Sequence, residues 1–162
     1  MRKFICFVLA MLLCFGCAAC GPQPEEDITD EIMQAEQKAA WGLTLTAEDV
    51  TPAGLTLVCT QAGGEPAGQQ ELFTGSWFTL EYLKNGKWHS VKYAKGMNKE
   101  EVSWTAEGWV IPNGDTVKWT IDWTWLYGEL PTGEYRIGKQ YLASYGTGDY
   151  DEVTLYAEFT VA

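Results

Sequence analysis

Between residues 41 and 162, apolar and polar side chains alternate with a period of two, the pattern of β-strands that bury one face. The alternation comes in short runs separated by Gly, Pro and Asn, which favour turns. It predicts strands near residues 43–45, 55–60, 78–84, 87–93, 116–123, 135–142 and 153–161. These segments indicate a single all-β domain, an antiparallel sandwich of about seven to nine strands.

The strongest turn signal is Asn85-Gly86, which favours a two-residue type I′ hairpin. A turn of this length fixes the register of its strands. The predicted cross-strand pairs are Leu83–Trp88, Tyr82–His89, Leu80–Val91 and Phe78–Tyr93. In this register, the apolar residues away from the turn lie on one face of the hairpin and the polar residues lie on the other. Leu83 and Trp88, close to the turn, are the exception, because they form an apolar pair on the polar face.

Residues 95–113 show no clear alternation, and their place in a sheet stays open. Trp104 and residues 109–111 are predicted to form short edge segments before Pro112, because proline is tolerated at sheet edges.

Residues 1–19 have the features of an export signal. Arg2 and Lys3 precede an apolar run over residues 4–15, which is shorter than the roughly 20 residues of a membrane-spanning helix. The segment resembles a bacterial lipoprotein signal, in which a cysteine after small residues carries the lipid. Cys20, after Ala18-Ala19, fits best, and Cys17 is the alternative. The resemblance implies a palmitate-bearing lipoprotein on the outer face of the bacterial cell membrane.

Residues 20–40 are acidic, rich in Pro and Gln and free of aromatic residues. This composition predicts a flexible linker with at most a short helix, since so few residues form a marginal helix by themselves. The linker would separate the lipid from a domain spanning residues 41–162.

The chain carries a formal charge of −11, and removal of Arg2 and Lys3 with the signal leaves 9 basic against 22 acidic residues, or −13. Such a surface repels nucleic acid, which we exclude as a partner. Four of the five cysteines lie in the first twenty residues. Cys59 is therefore alone in the domain, cannot form an internal disulfide, and is expected to pack in the core.

Leu130, Gly133 and Tyr135 form a motif that resembles the tyrosine corner of immunoglobulin-like and fibronectin III-like sandwiches. The resemblance implies that the Tyr135 hydroxyl bonds to the backbone a few residues upstream. It also places Cys59 and Ile137 where antibody domains have their inter-sheet disulfide, so that the two are expected to pack together.

Residues 41–162 as a whole resemble the bacterial immunoglobulin-like domains of exported Gram-positive lipoproteins. The runs that carry the resemblance are residues 50–57, 85–88, 122–128 and 130–137. It implies a single immunoglobulin-like sandwich and transfers no catalytic residue, so that the fold leaves the ligand undetermined.

Catalytic and metal-binding sets are missing from the sequence. His89 is the one histidine, no serine elbow accompanies it, and we expect neither an enzyme nor a cofactor. A weak calcium candidate is formed by Asp149, Asp151 and Glu152, which fall near glycines in a predicted loop.

Two functions remain. The first is a lipid-anchored binding or structural module that contacts an unidentified protein or glycan of the cell envelope. The second is a carbohydrate-binding module, because the domain has more tryptophans than one core requires and flat aromatic rings bind sugars. Its predicted ligand platform is formed by Trp88, Trp104 and Trp109.

Overall fold

The computed structural model describes residues 41–62 and 72–162. The predicted signal peptide, the lipid-carrying Cys20 or Cys17 and the predicted linker lie outside these ranges. Within the ranges, no helix has the length and hydrophobicity to cross a membrane. The described strands are β1 (Leu43–Thr51), β2 (Gly54–Gln61), β3 (Leu72–Gly75), β4 (Thr79–Lys84), β5 (Lys87–Ser90), β6 (Gly108–Ile111), β7 (Thr116–Asp122), β8 (Gly133–Gly146) and β9 (Asp149–Val161). A 3₁₀ turn covers Lys99–Glu101, and the one-turn helix α1 covers Thr124–Tyr127.

The strands form two antiparallel sheets, as the period-two pattern predicts. One sheet has the order β1-β2-β7. The other is built on β8, which pairs with β9 along one side and with β4 and β3 along the other. β5 and β6 complete this second sheet beyond β4 and β3. The all-β sandwich expected from the sequence is confirmed.

The core lies between the sheets and consists of the inward-facing residues of both. On β9, the alternation of the sequence matches burial at every second position from Val153 to Val161. Other buried members of the core are Leu43, Leu45, Leu55, Leu57, Cys59, Leu80, Ile137 and Tyr141. These positions follow from the strand period alone, because successive side chains point to opposite faces.

The hairpin at Asn85-Gly86 forms as predicted close to its turn. Both turn residues have positive φ, 54° and 74°, as a type I′ turn requires. Residues 82–84 of β4 pair with residues 87–89 of β5 in the predicted register. The Val91 N–H still donates to the Leu80 carbonyl at 2.9 Å, although β5 ends at Ser90.

The predicted Phe78–Tyr93 pair is wrong, and α1 is the reason. The ring of Tyr127 packs against both Phe78 and Tyr93, with centroid distances of 6.3 Å and 5.4 Å. The backbone N–H of Ala94 donates to the carbonyl of Leu126 in the same helix. The chain after β5 therefore follows α1 instead of continuing along β4.

Residues 95–113 contribute one strand. β6 holds Trp109, Val110 and Ile111 and lies at the edge of the second sheet beside β3, as expected for a short edge segment. The prediction that Trp104 lies in such a segment is wrong, because residues 102–107 are not in a strand. The four-residue strand β3 is too short for its alternation to be read from the sequence.

The segment between β7 and β8 ties the two sheets to the β1–β2 turn. The Tyr135 hydroxyl donates to the Pro131 carbonyl at 2.9 Å, the bond expected of a tyrosine corner. The carbonyl of Pro52 accepts from the indole N–H of Trp123 at 2.8 Å and from the backbone N–H of Leu130 at 2.9 Å. Gly133 leaves room for the Tyr135 ring, which would lie 3.2 Å from an added Cβ.

Replacing Tyr135 by phenylalanine tests the corner. Tyr135→Phe keeps the ring and its stacking on Phe159 but removes the donor to Pro131, so the free energy of unfolding should fall by about 1 kcal/mol. Urea denaturation measures the difference. Tyr150→Phe, at a tyrosine that is 54% exposed, is the matched control and should change stability little. Equal effects of the two substitutions would show that the corner bond does not contribute.

Candidate functional site

The structure brings two of the three predicted platform residues together and places the third elsewhere. Trp104 and Trp109 line one surface groove together with Trp125. Trp88 lines a separate depression beside Tyr135. We call the surface formed by Trp104, Trp109 and Trp125 and the residues between them the tryptophan groove; its volume is about 220 Å³.

Aromatic side chains form the wall of the tryptophan groove in edge-to-face contact. The ring of Trp104 lies 5.2 Å from that of Phe78 and 5.4 Å from that of Trp125, at interplanar angles of 74° and 73°. Phe78 is buried, whereas Trp125 is 45% exposed. The wall is therefore fixed in the core at one end and open to solvent at the other.

A break between β3 and β4 shapes the base of this groove. Thr74 of β3 pairs with Tyr141 of β8, and Thr79 of β4 pairs with Gly138. Between these two pairs, the β3–β4 segment contains four residues, 75–78, whereas β8 contains only two, 139 and 140. The two extra residues form a bulge, and this bulge places Ser76 and Phe78 in the groove lining.

Lys139 satisfies the backbone of the bulge from inside the core. Its side chain is fully buried, and Nζ donates to the carbonyl of Gly75 and, at 3.4 Å, to that of Trp77. Nζ also lies 5.5 Å and 5.8 Å from the ring centroids of Trp109 and Trp119, within cation–π range. The ammonium group of Lys139 therefore contacts both the backbone of the bulge and the indole of Trp109, on the core side of the groove.

Burial lowers the pKa of Lys139 to about 8, because the low-dielectric interior disfavours the charged form. Lys139 is not among the site residues predicted from the sequence. The period-two pattern of β8 contains the signal, since Lys139 falls between the inward-facing Ile137 and Tyr141. A lysine at an inward strand position is rarely buried without a specific partner.

Hydroxyl groups and one carboxylate surround the indoles. They belong to Ser76, Ser103, Thr105, Thr120 and Asp122. The Ser76 hydroxyl donates to the Thr105 carbonyl at 2.8 Å. Asp122 accepts through Oδ1 from the hydroxyl and the backbone N–H of Thr124, at 2.6 Å and 2.8 Å, and these bonds lower the pKa of its carboxyl group. The groove therefore contains an ionised acceptor at neutral pH.

Cys59 packs in the core, and Ile137 of β8 belongs to the same buried cluster. Its thiol faces the hydroxyl of Tyr141 and the charge of Lys139, which lie beyond Ile137 on the strand. Burial raises the pKa of the Cys59 thiol and also that of Tyr141. Within the described ranges, the Tyr141 hydroxyl has no hydrogen-bond partner of standard geometry, so its contact with the thiol is weak.

Trp88 belongs to a stacked cluster on the outer face of the second sheet. The guanidinium of Arg136 lies 4.8 Å from the Trp88 ring centroid and 4.0 Å from that of Tyr156. Glu81 forms an ion pair with the same guanidinium. Since Arg136 already stacks on its ring, Trp88 is not part of one surface with Trp104 and Trp109.

The weak calcium candidate does not form a ligand cluster. Asp149, Asp151 and Glu152 lie in β9, not in the predicted loop. Asp151 accepts from the Tyr145 hydroxyl at 2.9 Å, and Glu152 accepts from the Gln140 amide at 2.9 Å. Among residues 41–62 and 72–162, no group of three acidic, His or Cys side chains is arranged to hold a metal ion.

His89 lies at the predicted place, opposite Tyr82, with the two ring centroids 5.4 Å apart. It is exposed and belongs to the hairpin, away from the residues that line the tryptophan groove.

The pH dependence of stability tests the burial of Lys139. Below pH 8, Lys139 is protonated in both the folded and the unfolded protein. Between about pH 8 and pH 10.5, the unfolded chain binds more protons than the folded protein, so the free energy of unfolding rises with pH. We expect the wild type to gain up to about 3 kcal/mol relative to Lys139→Met over this range. Urea unfolding of both proteins at pH 7, 8.5 and 10 measures it. Lys118→Met, at an exposed lysine, is the control. A difference that does not change with pH would contradict the burial of this charge.

Comparison with known proteins supplies the family. Residues 37–160 match the family model described as bacterial Ig-like domain. Searches of the curated proteins and of the solved structures each gave no match. Bacterial Ig-like domains are typically extracellular or surface-exposed and serve as structural or binding modules. Because the match covers most of the chain and the structure is a two-sheet antiparallel sandwich, the chain belongs to the family of bacterial Ig-like domains.

Proposed function

We propose that this chain is a lipid-anchored, extracytoplasmic binding module without catalytic activity, whose ligand binds in the tryptophan groove. The observation that carries the proposal is the groove itself. It is concave, and among the described residues its lining combines four aromatic rings with five hydroxyl or carboxylate side chains, the mixture of apolar surface and placed polar groups that is typical of ligand sites. Trp125, at 45% exposure, offers an aromatic face to a ligand.

The secondary structure around the groove supports a role in binding. Trp109 lies on β6, Asp122 ends β7 and Trp125 lies on α1. Trp104, by contrast, lies in the loop before β6 and packs against Phe78 and Trp125. The backbone beneath the groove is held by Lys139. A site with its side chains held in place binds with a smaller loss of conformational entropy.

The chemistry of the described residues supports a non-catalytic role. The Cys59 thiol is fully buried, and its raised pKa keeps it protonated, whereas a nucleophilic cysteine needs a lowered pKa and access to solvent. His89 contacts Tyr82 on the hairpin and lies outside the groove. Family membership points the same way, since Ig-like domains generally act as structural or binding modules.

The proposed anchor rests on the sequence of residues 1–21. A thiol is required because sulfur takes up the diacylglyceryl group, and Cys20 follows two small residues. Two acyl chains give stable membrane attachment, whereas one gives only reversible binding.

Replacing the candidate cysteines one at a time tests the anchor. Cys20→Ala should move the protein from the membrane fraction to the soluble fraction, whereas Cys17→Ala, the matched control, should leave it membrane-bound. Mass spectrometry of the mature N-terminal peptide should show a lipid on Cys20. An unmodified N-terminus downstream of residue 20 would contradict the anchor, and release by Cys17→Ala alone would move the lipid to Cys17.

Binding to the cell envelope tests the groove. The mature chain carrying Cys20→Ala, which lacks the lipid, should co-sediment with an insoluble Gram-positive cell-wall fraction. Trp125→Ala should weaken this binding by about tenfold, since the loss of one stacked aromatic contact has roughly this effect. Tyr150→Ala is the matched control, because Tyr150 is 54% exposed and does not line the groove. Equal binding by the Trp125 variant and the wild type would contradict a ligand site in the groove.

A further inference from the structure

We infer that the ligand of the tryptophan groove is a neutral glycan with β-linked, gluco-configured pyranose units, of which the groove holds one or two. This inference rests on the proposed function, because it assigns a chemical class to the ligand of the same site. Four properties of the groove point to this class: its exposed aromatic face, its acceptors, its charge and its size.

The exposed aromatic face suits a sugar ring with equatorial substituents. In a β-linked, gluco-configured pyranose chair all ring substituents are equatorial, so each face of the ring presents only C–H groups, whereas an α-linkage would put an axial oxygen on one face. Such a face packs flat on an indole, and Trp125 offers an exposed one. Trp104 meets Trp125 edge-to-face at 5.4 Å, so these two rings contact each other and do not enclose a space between them. An aromatic cage for a quaternary ammonium group needs rings that surround the cation.

The polar groups of the groove suit a ligand that donates hydrogen bonds. Asp122 is ionised and accepts both of its bonds from Thr124 through Oδ1, which leaves Oδ2 for a ligand. Ser103 and Thr120 add hydroxyl groups. Sugar hydroxyls donate to such acceptors, whereas a proline-rich peptide, another common partner of tryptophan surfaces, lacks N–H donors at its prolines.

The charge of the groove suits a neutral ligand. Among the described residues that line it, one is acidic and none is a lysine or arginine. Lys139 lies behind Trp109 and is fully buried, so its ammonium does not reach a ligand. Phosphate and carboxylate groups are recognised by exposed cationic side chains, which makes an anionic polymer a poor fit.

The size of the groove suits a short stretch of sugar units. Its volume of about 220 Å³ lies below the range of roughly 300–1,000 Å³ that is usual for enclosed small-molecule pockets. The remaining units of a glycan would extend into solvent from the open side, where Trp125 is exposed.

A titration monitored at the indole N–H groups tests the inference. The soluble Cys20→Ala mature chain, labelled with ¹⁵N, is titrated with chitotetraose and with cellotetraose, and in parallel with choline and with a proline-rich peptide. We expect the two oligosaccharides to shift the indole signals of Trp104, Trp109 and Trp125 and to leave that of Trp88 in place, because Trp88 stacks on Arg136.

Matched variants assign the contacts. Trp125→Ala should weaken oligosaccharide binding by about tenfold or more, and Asp122→Asn, which keeps Oδ1 for Thr124, by about threefold or more. Trp88→Ala should change the affinity less than about twofold, as expected for an aromatic residue outside the groove. Trp125 and Asp122 are exposed, so their replacement should leave the fold intact. In each variant, unchanged signals of the remaining indole N–H groups would show that the protein is still folded.

The outcomes separate the ligand class from the proposed function. Shifts of the groove indoles by choline or by the peptide, with no response to either oligosaccharide, would overturn the glycan and leave the groove as a binding site. If no probe shifts the indole signals, the assignment of a glycan ligand is also wrong. If, in addition, Trp125→Ala does not change binding to the cell wall, the proposed function is wrong as well. Oligosaccharide shifts confined to Trp77 or Trp88 would overturn the assignment of the site.

Discussion

The tryptophan groove of this sandwich depends on one interaction, that of the buried Lys139 ammonium group with the backbone of the bulge. β3 and β4 follow one another along the same side of β8, and the bulge between them contains two residues more than β8 opposite. The carbonyls of Gly75 and Trp77 in that bulge would be costly to bury without donors. Lys139 supplies both donors from the opposite strand, and the Thr74 hydroxyl donates to the Gln140 carbonyl at 2.7 Å. The backbone carbonyls of the bulge that face Lys139 therefore have hydrogen-bond donors.

The tryptophan groove is the consequence of this bulge. Residues 76–78 are not in a strand, and there Phe78 reaches Trp104, while the indole of Trp109 lies over the ammonium group of Lys139. In the segment between β7 and β8, the indole N–H of Trp123 and the backbone N–H of Leu130 both donate to the Pro52 carbonyl. These two bonds fix the position of α1, which carries Trp125. Two separate backbone constraints thus bring Trp104 and Trp109, which precede β7, to one surface with Trp125, which follows it.

The family fixes the framework and leaves the groove to be decided by individual residues. The tyrosine corner and the hairpin at Asn85-Gly86 are local features, in which a few consecutive residues determine the geometry. For this reason they could be predicted from the sequence, as could the burial of Cys59. The predicted platform was a different kind of inference, because it assumed that Trp88 shares a surface with Trp104 and Trp109. Trp88 lies instead on the outer face of the second sheet with Arg136.

The sequence by itself determined the features that depend on residues close together in the chain: the strands, their buried faces and the two-residue turn. Each of these depends on neighbouring residues, so that alternation and turn chemistry are sufficient. Only the tertiary structure decided which aromatic residues meet, that Tyr127 displaces Tyr93 from Phe78, and that Lys139 holds the base of the groove. These are contacts between residues far apart in the chain, and their geometry is set by the bulge and by the packing of the two sheets, which no local pattern encodes.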